Sequence, residues 1–127
     1  MREIINTINA PAPIGPYNQA ILIKDTLYIS GQTPIDPSTG KLVKGDVRAE
    51  TKQCMENLKA ILNEAKFTFE HVVKTSIFLK DMRQFSIVNE VYGSYFNVGI
   101  APTRETVEVA NLPMFVNVEI SMIAVKD

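Results

Sequence analysis

The C-terminal stretch Phe115-Val-Asn-Val-Glu-Ile-Ser-Met-Ile-Ala-Val125 limits the possible folds more than any other part of the chain. Val116, Val118, Ile120 and Met122 alternate onto one face, as a half-buried strand requires. Ile123 and Val125 make the opposite face apolar as well toward the end. A strand of that kind needs cover on both sides, so it belongs inside a layered sheet.

The rest of the chain supplies the layers. Residues 2–8 suit an edge strand and lead into Ala10-Pro-Ala-Pro-Ile-Gly-Pro-Tyr17, a stiff non-helical loop. Asn18 to Lys24 and Thr26 to Ser30 read as a hairpin around Lys24-Asp25, and Gly31 to Gly45 as a loop. Asp46 is a suitable N-cap for a helix whose apolar positions fall at 47, 54, 55, 58, 61, 62 and 65. Val72 to Lys80 reads as a strand. Asp81 can cap a second helix carrying Met82, Phe85, Val88, Tyr92, Tyr95 and Phe96 on one side, ended by Gly99 and Pro102. Two strands remain, Ala101 to Ala110 and Phe115 to Ser121, read as a hairpin turning near Leu112-Pro113. The order β-β-β-α-β-α-β-β predicts one α+β domain over residues 1–127, a mixed β-sheet with two helices on one face. Two helices cover one face only, and a second copy of the chain is the simplest cover for the other.

Composition removes several classes of function. A net charge of -1 with scattered Lys and Arg gives no basic field for nucleic acid. No apolar run approaches the roughly 20 residues that span a bilayer, and the first residues lack a signal-peptide core. Cys54 is the only cysteine and His71 the only histidine, which excludes an intrachain disulfide and a cysteine-rich metal site. A reducing, cytoplasmic compartment and no membrane partner are expected. Cys54 fits the apolar stripe of the first helix, and His71 a surface position at a strand entrance.

The ionisable residues of the final strands are the sharpest chemical candidates. Arg104, Thr106 and Glu108 share one face, and the expected hairpin puts Glu119 across from residues 106 to 108, within reach of Arg104. A guanidinium suits bidentate capture of a carboxylate, and a partly desolvated Glu119 suits proton transfer. The same two groups also suit a plain cross-strand ion pair. Tyr17 suits either a pocket wall or loop packing. In Ser30-Gly31-Gln32, Gly31 would let a backbone N–H approach a ligand, or simply make a turn. Asn89 is placed on the inward side of the second helix, holding a loop's backbone.

Taken in order, the motifs resemble the RidA/YjgF family of enamine/imine deaminases. They are Asn9-Ala-Pro-x-Pro-Ile-Gly-Pro-Tyr17, Ser30-Gly-Gln-x-Pro-Ile-Asp-Pro-x-Thr-Gly40, Val73-Lys-Thr-x-Ile-Phe-Leu-Lys-Asp-Met82 and Val88-Asn-x-x-Tyr92. Ala101-Pro-Thr-Arg-x-Thr-Val-Glu-Val-Ala110, Leu112-Pro113 and Val118-Glu-Ile120 complete the set. The resemblance implies a fold like trimeric chorismate mutase and a homotrimer with pockets between subunits. It also implies hydrolysis of 2-imino acids, the tautomers of reactive 2-enamino acids released by PLP-dependent dehydratases, to 2-keto acids and ammonia, without metal or cofactor. Arg104 would bind the substrate carboxylate and Glu119 would handle water and protons. Tyr17 would line the pocket, Gly31 and Thr106 would contact substrate, and Ser30 and Asn89 would support the site. The alternatives are a non-catalytic trimer that binds small carboxylates, and an RNA-cleaving or chaperone-like role. Glu105, Lys66-Phe67 and Met114-Phe115 depart from the family's usual residues. Lys66 then has to take up a positive φ that glycine would take without strain.

Overall fold

The computed structural model describes residues 1–127. Six strands form one sheet: β1 (Arg2–Ile5), β2 (Ala20–Ile23), β3 (Thr26–Gln32), β6 (Val72–Leu79), β7 (Thr103–Glu108) and β8 (Val118–Val125). Their order across the sheet is β1-β2-β3-β8-β6-β7. Only β6 and β7 run parallel, so the sheet is mixed. Helices α1 (Val47–Glu64) and α2 (Phe85–Gly93) pack together on one face. The remaining pair, β4 (Ile35–Asp36) and β5 (Lys41–Leu42), is a small ribbon within the segment read from sequence as a loop.

The helix signals in the sequence operate much as expected for α1. Asp46 caps it by accepting from the Ala49 N–H at 3.0 Å. Cys54, Met55, Leu58, Ile61 and Leu62 are fully buried against the sheet. Lys66 ends the helix at φ 64, the conformation the missing glycine would adopt without strain. Lys66→Gly is therefore expected to stabilise the protein by roughly 0.5–1 kcal/mol, read by denaturant unfolding. The second helix is shorter than its sequence pattern. Asp81 caps a single 3-10 turn, Met82–Gln84, and α2 stops at Gly93 rather than near Gly99. Tyr95 and Phe96 leave the helix to join an aromatic cluster with Phe69 and Tyr92.

The expected C-terminal hairpin does not form. β6 lies between β7 and β8, pairing with β7 in parallel and with β8 antiparallel. The segment after β7 spans the end of β6, with Val109 donating to Leu79 and Lys80 donating to Asn117. Parallel neighbours need a crossover, which α2 supplies between β6 and β7. The C-terminal strand then fills the gap between β3 and β6, antiparallel to both.

This topology decides which residues share a face. Ile5, Ala20, Ile29, Met122, Thr75 and Arg104 are paired in one row across all six strands. That row faces the helices, so Arg104 does too. Glu119, paired with Phe78, which is paired with Val107, belongs to the opposite face. No helix covers this second face, where Ile4 and Tyr28 are 57% and 48% exposed in a row with Ile21 and Ile123. No helix of the chain is long and apolar enough to cross a membrane.

Candidate active site

The Pro-rich loop that carries Tyr17 is held by a residue whose importance the sequence did not reveal. Prolines leave carbonyls without neighbouring N–H partners, and Gln19 supplies donors from a buried side chain. Its Nε2 donates to the carbonyls of Thr7 at 3.0 Å and Pro11 at 2.9 Å, while its Oε1 accepts from the Thr7 N–H at 2.8 Å. Ser30 secures the other end of the loop, its Oγ donating to the Asn18 carbonyl at 2.6 Å. The Tyr17 ring is thereby set at the edge of a cavity, and its hydroxyl accepts from the Ile14 N–H at 3.3 Å.

Tyr17, Gly31 and Glu119 line this cavity of about 290 Å³. The Glu119 carboxyl lies directly over Gly31. A Cβ built at position 31 would approach Glu119 Cδ to 2.8 Å and Cγ to 3.1 Å. Glycine at this position is a steric requirement of Glu119, in addition to any access it gives to a ligand. Burial alone pushes the Glu119 carboxyl above the usual carboxylate range. Gly31→Ala is expected to displace that carboxyl and reduce turnover at least tenfold while the fold persists, checked by steady-state kinetics alongside circular dichroism. A wider groove of about 500 Å³ beside α1 is lined almost wholly by polar side chains and lies open. Ligand sites are usually concave and mostly apolar, which favours the cavity at Glu119.

Arg104 occupies a second, separate group of residues. Its Nη1 donates to Asn89 Oδ1 at 2.8 Å, and its Cζ lies 5.1 Å from the Tyr92 ring centroid and 5.6 Å from that of Phe85. Asn89 is exposed, not turned inward, and its partner is this guanidinium rather than a loop backbone. The ion pairs of the chain are Arg48–Glu90, Lys74–Glu105 and Arg83–Asp81, so Arg104 has no carboxylate partner. Glu105 is engaged with Lys74 and Ser76, Glu108 accepts from the Met82 N–H, and Glu119 points to the other face. Near Arg104 on the same face, the Thr106 hydroxyl is buried with no hydrogen-bond partner. The cross-strand ion pair allowed by the sequence is therefore excluded. Arg104, Thr106 and Asn89 are brought together on the helix face at the β7 edge. Tyr17, Gly31 and Glu119 are brought together on the other. Within one chain the two groups do not meet.

His71 and Cys54 lie outside both groups. His71 Nδ1 accepts from the Thr68 N–H at 2.9 Å and closes the turn before β6, while Cys54 is buried in the core.

Comparison with known proteins now adds to this geometry. The family model for endoribonuclease L-PSP matches residues 7–126. The chain belongs to that family, also called RidA/YjgF. A RutC family protein of Pyrococcus horikoshii is 50% identical over 127 residues, covering 100% of both chains. The mouse 2-iminobutanoate/2-iminopropanoate deaminase is 49% identical over 126 residues, covering 99% of this chain and 93% of the mouse protein. Among solved structures, Escherichia coli TdcF with bound serine superposes with a TM-score of 0.93 at 38% identity, covering 98% of this chain and 99% of that one. Family members thus carry different functional names on one fold. The conserved architecture fixes the scaffold, and activity has to be argued from the site.

Proposed function

We propose that this protein is a 2-imino acid deaminase, a homotrimer whose active sites form between adjacent copies. The observation that carries the reading is the separation of two complementary half-sites. An arginine without an acidic partner lies on one face, and a carboxyl of raised pKa in an open cavity lies on the other. Neither half-site is complete alone, and the apolar, uncovered sheet face needs a partner. Deaminase names among relatives at close to half identity support the chemistry. The serine bound to TdcF supports a small amino acid-like ligand. A small-molecule chemistry in the cytoplasm fits a chain with net charge -1 better than RNA cleavage does.

In this mechanism the Arg104 guanidinium holds the substrate carboxylate through two parallel hydrogen bonds, with Asn89 and Tyr92 fixing its direction. The Thr106 hydroxyl supplies a donor to the same ligand. An enamine substrate first takes a proton at its terminal carbon and gives one up from nitrogen, becoming the imine. Glu119 accepts a proton from water as the oxygen adds to the imine carbon. It returns that proton to nitrogen, giving the carbinolamine, then takes the proton of the new hydroxyl and passes it to the same nitrogen as the C=O forms and the C–N bond breaks, leaving ammonia and a 2-keto acid. A raised pKa suits a group that both takes and gives a proton near neutral pH.

The test is a threonine dehydratase reaction with and without the protein, following decay of the imine absorbance. Accelerated decay is expected. Unchanged decay with tight 2-oxobutanoate binding would assign the chain instead to carboxylate sensing.

A further inference from the structure

The cavity beside Glu119 has an apolar wall that carboxylate capture and proton transfer leave unused. Ile14, Pro113 and Met114 line it, and Ile14 and Met114 remain 74% and 43% exposed. Met114 sits at φ 57, a left-handed conformation that asparagine or glycine adopts far more readily. The turn geometry therefore does not account for a methionine here. Its side chain is long, unbranched and polarizable, suited to packing against ligands of variable shape. No Lys or Arg lines the cavity.

We infer that this wall is the substrate's side-chain subsite and that Met114 sets its preference. The inference rests on the reading above, in which Arg104 takes the carboxylate and Glu119 faces the imine, leaving only the side chain of the 2-imino acid to place. The favoured substrates carry branched or extended apolar side chains rather than the ethyl group of 2-iminobutanoate. Acidic side chains are rejected, because Glu119 repels them and no cation compensates.

Binding of stable 2-keto acids tests this without relying on turnover. By isothermal titration calorimetry, affinity for 4-methyl-2-oxopentanoate should exceed that for 2-oxobutanoate by about tenfold, since each buried methylene contributes roughly fourfold. 2-Oxoglutarate should bind weakest of the three. In Met114→Asn, which suits the positive φ and so retains the turn, the ratio should fall to about threefold or less. Equal affinities in the wild type, no binding of any keto acid, or an undiminished ratio in Met114→Asn would each overturn the assignment. A graded series together with no imine hydrolysis would instead overturn the enzymatic reading and leave the subsite in place.

Discussion

Arg104→Ala is expected to lower kcat/KM for 2-imino acids by about a thousandfold while leaving the chain folded. A carboxylate about 4 Å from the guanidinium gains roughly 4 kcal/mol at an effective dielectric near 20, which corresponds to three orders of magnitude. The side chain has no ion pair to lose on truncation. It gives up one hydrogen bond to Asn89 and a stacking contact with Tyr92, together about 1–2 kcal/mol. Arg104→Lys should recover only part of the loss, because an ammonium cannot present two parallel donors. Steady-state kinetics and thermal unfolding on the same preparations separate these effects. A loss of activity matched by loss of fold would point to a structural arginine.

Glu119→Gln is expected to reduce kcat by about a hundredfold or more while raising stability at neutral pH. The sign follows from desolvation, which raises the native pKa of Glu119 above its unfolded value. Below the unfolded value the carboxyl is neutral in both states and costs nothing. As pH rises through the folded pKa, the native state must hold a poorly solvated charge and loses stability relative to the unfolded chain. Glutamine removes that cost, so the variant's Tm should exceed the wild type's near pH 7 and converge with it in acid. The acid limb of the wild-type rate profile should sit above the ordinary carboxylate range and be absent from the variant.

Several elements were legible in the sequence because they depend on local periodicity. The Asp46 cap, the apolar stripe of α1 and the hairpin at Lys24-Asp25 follow directly from residue spacing. The positive φ at Lys66 was expected from the family resemblance, which places a helix-ending glycine there, and not from periodicity. Strand adjacency was not legible at the C-terminus. Alternation reveals which residues share a side of one strand, but not which strand lies beside it. Inserting β6 between β7 and β8 preserved both patterns while placing Arg104 and Glu119 on opposite faces. Asn89 was misassigned for a different reason. It was placed on the inward side beside Val88 and Tyr92, but consecutive residues of a helix are about 100° apart, and Asn89 is exposed and bonded to Arg104 while those two are buried.

Gln19 and Gly31 had weaker signals. A glutamine following a loop rich in prolines is a candidate donor for stranded carbonyls, and Gln19 performs that role. Gly31 is small because a carboxyl from a strand distant in sequence occupies its Cβ position, which no local pattern records. The motifs therefore named candidates that the structure gathers into two groups, without recording which face each group takes. Two candidates expected to touch across one hairpin lie instead on opposite faces of the sheet.

Mixing two inactive variants tests that arrangement most directly. Arg104→Ala and Glu119→Gln chains, co-expressed with separate tags and purified as mixed trimers, should regain about a third of wild-type imine hydrolysis if sites form between adjacent copies, since one of the three sites in each mixed trimer is then intact. Those sites would draw an intact Arg104 from one chain and an intact Glu119 from its neighbour. Activity no higher than that of either variant alone, in assemblies shown to contain both chains, would contradict a shared site.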